Sequence, residues 1–246
     1  MNPYKILGVD YSRWQAGVDP QKLIAGGVSF AIVKMGEVWI RQVSQGKPAK
    51  DDDRYDYNMG VLKGKIPCGS YYFYHPSAGN AKQLRHFKEA WERHPHDFPP
   101  ILDCESNDAI EDKNKVAREI RVMLEGMAEI SGRQPIVYTR SGWWSYYAGD
   151  PDFGKDYLFW LAQYNPTFTL TGTAKIKANV VMWQFTDRIK ISGCPSMDGN
   201  YWLRSAKELK ELTNTKSKPQ DISDRRIKKN IFALSRANRR WLEDNW

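Results

Sequence analysis

The chain has 246 residues, of which 41% are apolar, 27% charged and 13% aromatic, and no stretch approaches 18 consecutive apolar residues. This composition excludes fibrous, disordered and helical membrane-spanning classes and suits one sizeable globular domain. Of the net charge of +8, +5 sits in residues 215–246, where nine Lys and Arg stand against four Asp and Glu, so the near-balanced remainder argues against a nucleic-acid-binding body.

Short apolar runs bounded by turn residues predict strands at Ile6–Asp10, Phe30–Lys34, Gly69–Tyr74, Ile101–Glu105, Ile136–Thr139, Leu158–Tyr164 and Val180–Phe185. Amphipathic helices are predicted between them, most clearly at 81–94 and 113–130, where Val116, Ile120, Met123, Leu124 and Met127 recur at helical spacing. Strand–helix alternation implies an α/β fold with a mostly parallel sheet covered on both faces, closed as a single TIM-like (β/α) barrel over residues 1–213. The connections after Leu158 are too short or too Thr-rich for good helices, so the second half of the barrel should be irregular. Residues 214–222 read as a polar linker. Residues 223–246, with Ile227, Ile231, Leu234 and Trp241 spaced among Arg and Lys, read as a basic amphipathic helical tail.

Polar residues cluster at the predicted strand ends: Asp10 after the first strand, Lys34 and Glu37 after the second, Asp103 and Glu105 at the fourth, Gln184 at a later one. In (β/α) barrels these ends converge on one face, where catalytic groups collect. Gln184 itself reads as structural. The segment Pro99-Pro-Ile-Leu-Asp103-Cys-Glu105 is the most informative. Alternate strand residues share a face, so Asp103 and Glu105 project together with roots about 7 Å apart. Such a pair can divide into one protonated and one ionised carboxyl, as cleavage of a glycosidic bond requires. An isolated Asp-x-Glu is more often a solvated strand end or a helix cap, and it is the barrel position that favours chemistry here. Asp10, Glu37, Asp103 and Glu105 could hold Mg²⁺, but nothing requires it, and no metal or cofactor is expected.

The chain is rich in indoles and phenols, with 10 Trp and 13 Tyr, which suits a cleft that stacks flat apolar faces such as sugar rings. Trp14, Trp143, Trp144 and Trp183 are candidates for such stacking, each about as well explained by packing. The three cysteines, Cys68, Cys104 and Cys194, form no CxxC pair or Cys/His cluster and read as free thiols. The Met-Asn-Pro-Tyr-Lys start lacks the apolar core of a signal peptide, so synthesis in a reducing cytoplasm is expected, and any work outside that compartment would need some other means of delivery.

Taken in order, the motifs resemble family-25 glycoside hydrolases, the lysozymes of phages and bacteria. Gly8-Val-Asp10-Tyr-Ser12-Arg-Trp14-Gln15 is similar to the family's first strand, and Phe30-Ala-Ile-Val-Lys34-Met-Gly-Glu37 to its second. Asp52-x-x-Tyr55-x-x-Asn58, Gly69-Ser-Tyr71, the Asp103-Cys-Glu105 strand, Pro135-Ile-Val-Tyr138-Thr139, Leu161-Ala162-x-Tyr164, Trp183-Gln184-Phe185 and Gly193-x-x-x-x-Asp198-x-Asn200-Tyr201 follow as in the family. The resemblance covers about Ile6 to Leu212. It implies an irregular (β/α) barrel and hydrolysis of the β-1,4 bond between N-acetylmuramic acid and N-acetylglucosamine in peptidoglycan. By motif position it makes Glu105 the general acid and Asp103 the second carboxylate, with Asp10 and Asp198 lining the site. Tyr138, Tyr71, Trp14, Trp183, Lys34 and Glu37 are the substrate-binding candidates, with Lys34 expected to pair with a carboxylate in the barrel mouth. Tyr72 stands where the family often has His, Met35-Gly36 where it often has Ala-Thr, and 39–50 reads as an enlarged loop.

Outside the resemblance, Ser223-Asp-Arg-Arg-Ile-Lys-Lys-Asn-Ile231 is similar to the opening of chaperone domains that end some phage tail proteins, and the tail could contact a wall, a membrane surface or a virion protein. Phage-borne cell-wall degradation, in lysis or entry, is the expected setting. Two rivals remain: a barrel that binds glycan without cleaving it, and a structural virion protein. Four acids held together argue against the first, and the second leaves them unexplained.

Overall fold

The computed structural model describes residues 6–38, 49–107, 112–169 and 174–214. Strand β1 (Ile6–Tyr11) is followed by the short helix α1 (Pro20–Ala25), opened by the Asp19 side chain accepting from the Gln21 N–H and by Pro20 in the first turn. Next come β2 (Val28–Glu37), the two-residue β3 (Lys50–Asp51), α2 (Tyr55–Leu62) and β4 (Cys68–Phe73). They are followed by α3 (Asn80–Trp91), β5 (Ile101–Cys104), α4 (Lys113–Ser131) and β6 (Ile136–Thr139). The chain continues through α5 (Ser141–Tyr147), β7 (Leu158–Ala162), β8 (Val180–Ile189), β9 (Met197–Trp202) and α6 (Ala206–Asn214).

Helix α4 follows the periodicity. Val116, Ile120, Met123, Leu124 and Met127 are all buried, Asp112 caps the first turn, and Gly132 ends it in the left-handed conformation. All seven expected strands form. Glu105 is the first residue beyond β5 rather than its last. Helix α6 includes Asn214, which the linker was expected to begin, while 215–246, with the rest of the linker and the tail, lies outside the described residues, as does most of the 39–50 loop.

From β1 to β8 the barrel strands β1, β2, β4, β5, β6, β7 and β8 pair in parallel. The circle closes through β9, which runs antiparallel to both β8 and β1, so the barrel has eight strands with β3 lying outside on the edge of β2. The expected irregularity of the second half is therefore real. Between β7 and β8 the described residues hold only a 3₁₀ turn (Ala174–Asn179), and β9 is a strand that periodicity did not show.

Strand alternation sorts the barrel into two apolar regions. Phe30, Ile32, Ile101, Ile136, Trp160 and Met182 fill the lumen, while a larger cluster including Leu23, Leu84, Phe87, Ile120 and Phe159 cements the helices to the outside. Positions of lumen parity nearer the strands' C-terminal ends carry the polar residues: Lys34 after Ile32, Asp103 after Ile101, Tyr138 after Ile136, Gln184 after Met182. The apolar floor and the polar mouth are one periodic pattern read along each strand. Cys68 and Cys104 are buried and Cys194 half-buried, all as free thiols.

Gly8 makes room for this floor. A Cβ there would fall 2.1 Å from the Phe30 ring. Gly8→Ala should therefore lower unfolding free energy by about 1–3 kcal/mol through overpacking. Trimming the ring with Phe30→Leu in the same chain should recover part of the loss. Equal urea midpoints for Gly8→Ala and the parent would show that the lumen is looser than this.

Candidate active site

Antiparallel β9 sets Asp198 directly across from Asp10, and Asn200 across from both Gly8 and Gln184. Because Gly8 has no side chain, Asn200 reaches past it, and its Nδ2 donates to Asp10 Oδ2 at 2.7 Å. The Asn200 amide is oriented by the Trp160 indole, which can only donate and does so to Asn200 Oδ1 at 2.8 Å. Gln184 is oriented likewise. Its Oε1 accepts from the Tyr138 and Tyr164 hydroxyls, both at 2.9 Å, so its Nε2 faces Asp10 Oδ2 at 2.9 Å and Asp198 Oδ2 at 3.1 Å. Among the described residues, two primary amides thus supply the neutral side-chain donors to these acids. Gln184, which reads from sequence as structural, is the link between them.

Asp103 is buried in the cleft floor, and its Oδ1 has no hydrogen-bond partner among the described residues. Burial pushes the Asp103 carboxyl well above the usual range, and repulsion from Glu105 adds to it, with Lys34 pulling the other way. Glu105 is the more open of the two, with 28% of its side chain exposed. Burial raises it too, opposed by Arg140, whose Nη2 lies 3.5 Å from Glu105 Oε2, and by Lys34. Asp10 is raised to about 6, because burial outweighs the two amide hydrogen bonds that favour its ionised form. Asp198 is raised to about 8 by burial and then by Asp10 opposite.

The cleft brings together Asp10, Asp103, Glu105 and Asp198, four of the five acids expected at the site, with Tyr71 and Tyr138, and adds Trp160 and Gln184 to its lining. Tyr138 packs edge-to-face on Trp160, its partner in register, with centroids 4.5 Å apart. Trp160 was missed, although it shares lumen parity with Ala162 on the same strand, a signal that parity alone could have given.

Other candidates lie elsewhere. Trp183 sits between inward-facing Met182 and Gln184, so alternation turns it to the outer face; it is buried against Phe168, Phe185 and Tyr201, and its indole donates to the Gln163 carbonyl. Trp14 is 78% exposed under the Arg13 guanidinium and does not line the cleft. Trp143 and Trp144 are buried beneath the helical layer. Lys34 and Glu37 are not on the cleft lining either, and bond to each other at 2.6 Å. Among the described residues, no three carboxyl, imidazole or thiol groups converge as a metal cage.

A closed eight-stranded barrel with paired acids at the C-terminal ends of its strands is the build of a (β/α)-barrel enzyme. The model of glycosyl hydrolases family 25 matches residues 9–194. The chain belongs to that family and is a glycoside hydrolase by class. It is 25% identical over 222 residues to the protein YegX of Escherichia coli K12, covering 86% of this chain and 74% of that one. With Lysozyme M1 of Streptomyces globisporus it shares 23% over 236 residues, covering 85% and 71%. The solved bacterial lysozyme from Streptomyces coelicolor superposes with a TM-score of 0.72 at 21% identity, over 87% of this chain and 99% of that one.

The raised acids make stability depend on pH. Asp10 and Asp198 keep protons in the folded chain at pH values where the unfolded chain, near 3.8, has released them. Their contribution is complete below about pH 4 and is lost as pH rises through about 6 and about 8. Asp198→Asn should narrow the fall in unfolding free energy between pH 4 and pH 8. Urea titrations at both pH values measure it, and an unchanged fall would remove Asp198 as a source.

Proposed function

We propose that this glycoside hydrolase is a lysozyme that cleaves the β-1,4 bond between N-acetylmuramic acid and N-acetylglucosamine in peptidoglycan, with Glu105 as general acid and Asp103 as its partner carboxylate. The observation that carries the reading is the pair itself: two carboxyls in one cleft, Glu105 opening into it and Asp103 buried with an oxygen that has no hydrogen-bond partner among the described residues. The similarity to Lysozyme M1 supports the substrate.

Burial and mutual repulsion favour one shared proton on the pair. The N–H of the substrate's acetamido group suits the unpartnered Asp103 Oδ1, and donating to it favours the ionised form of Asp103. The shared proton then rests on Glu105, beside the cleft opening. Glu105 gives it to the glycosidic oxygen as the bond to the leaving sugar breaks, and the Asp103 anion stabilises the positive charge that develops on the other sugar. Water completes the hydrolysis and leaves a new N-acetylmuramic acid reducing end. Asp10 and Asp198, tied through Gln184, hold the far wall of the cleft. The reading places the enzyme at the bacterial wall in the service of a phage, at lysis or entry. That finer setting is supported by the resemblance of residues 223–231 to phage tail chaperone openings.

Purified protein and its Glu105→Gln variant, incubated with purified peptidoglycan, test this by mass spectrometry of the new reducing ends. The parent should release N-acetylmuramic acid ends, and the variant should be slower by about 10²-fold or more. Release by neither, across several wall types, would leave a barrel that binds glycan without cutting it.

A further inference from the structure

Beside the cleft lining, at the C-terminal ends of β2, β4 and β5, lies a second polar chain that the hydrolysis just described does not use. Glu37 Oε1 accepts from Lys34 Nζ at 2.6 Å, and Glu37 Oε2 lies 3.0 Å from His75 Nε2. His75 Nδ1 in turn lies 3.2 Å from Ser106 Oγ. A carboxylate only accepts, so the His75 Nε2–H donates to Glu37. Each link is clamped from outside. The buried Gln83 side chain bonds both the N–H and the C=O of His75, at 3.0 and 2.9 Å, and the Trp143 indole donates to the Ser106 carbonyl at 3.0 Å. Ser106 is also the residue directly after Glu105.

The first link depends on an irregularity. On a regular strand, residues three apart face opposite ways, so Lys34 and Glu37 should not meet. The register of β2 against β4 shifts between Lys34 and Gly36, and this turns Glu37 back toward the lumen side. Gly36 permits it, since a Cβ there would meet the Lys50 carbonyl at 2.7 Å and His86 at 2.8 Å.

Lys34 Nζ lies 4.8 Å from the centroid of the Phe73 ring, and Phe73 is the register partner of Asp103. The ammonium is therefore next to the acid pair yet bonded away from it. Resting on the reading of Asp103 and Glu105 as the reacting carboxyls, we infer that Ser106, His75 and Glu37 form a tether that holds the Lys34 ammonium on Glu37 and so leaves the Asp103–Glu105 pair able to carry its proton. All four are positioning residues. Untethered, a flexible four-carbon amine beside the buried Asp103 and half-buried Glu105 would ion-pair with them and favour the state with no proton to give.

The charges that face these groups agree with this arrangement. Burial would raise Glu37, but the His75 hydrogen bond and Lys34 outweigh it and hold Glu37 down at about 2, a fixed anion through the working range. On Asp103 and Glu105, Lys34 acts from β2 and favours ionisation, as Arg140 does on Glu105 from beyond β6. Asp10 from β1 and Glu37 from β2 oppose it at Asp103.

The test is the pH profile of peptidoglycan hydrolysis. Glu37→Gln keeps the shape and removes the charge that retains Lys34, so the alkaline limb of kcat/KM should move down by about one pH unit or more. Lys34→Met in the same chain should return the limb to the parent position or above. His75→Gln, which loosens only the outer link, should move it in the same direction as Glu37→Gln by less. A uniform loss of activity with the limb unmoved, or a shift that Lys34→Met does not reverse, would overturn the tether and leave these residues a purely structural role. Carboxyl ¹³C resonances of Asp103 and Glu105, titrated in parent and Glu37→Gln, give the same readout without turnover. If the parent cleaves no wall yet these titrations shift as described, the tether stands and the lysozyme reading falls. If the parent cleaves wall and neither measurement shifts, the tether alone falls.

Discussion

The placement of β9 is the constraint on which the cleft depends. Seven strands run parallel, and a parallel eighth would bring its own crossover helix. The chain instead turns back after β8 and inserts β9 antiparallel between β8 and β1. Antiparallel pairing sets residues directly opposite each other, and here that register puts Asp198 against Asp10. Like charges so placed are unfavourable. The barrel tolerates them because burial lets them hold protons to higher pH than usual, and because the Gln184 and Asn200 amides are aimed at them as donors.

From that closure follows an electrostatic division of the barrel mouth. One wall, Asp10 and Asp198, is held by amides whose orientation is dictated by phenols and an indole, none of which carries charge in the working range. The other side is held by ions, with Lys34 on Glu37 and Arg140 near Glu105. Between them Asp103 has an oxygen without a partner among the described residues, the group most in need of a ligand donor. Neutral dipoles can anchor carboxyls without forcing them to ionise, whereas a cation at contact would. The distribution of amides and ammoniums is therefore part of the chemistry.

Much of this was legible along the chain. Period-two alternation placed Asp103 and Glu105 on one face, and helical periodicity located α4 and its buried stripe, because both depend on near neighbours in sequence. The four acids, with Tyr71 and Tyr138, were found at strand ends or by motif order, and the fold lines the cleft with all six. Aromatic content was a poorer guide. It favoured Trp14 and Trp183, one exposed and one turned outward, and passed over Trp160, because indole frequency says nothing of which face a residue takes.

Neighbours along the chain set the local order: which segments alternate, which repeat every three to four residues, and where acids interrupt an apolar strand. Which residues meet across the barrel is settled by its closure. Asn200 reaches Asp10, Gln184 joins two acids and Lys34 finds Glu37, because strand closure and one register shift bring them together. Contacts between residues up to 190 positions apart depend on that register, and a one-residue slip in it turns every side chain to the other face.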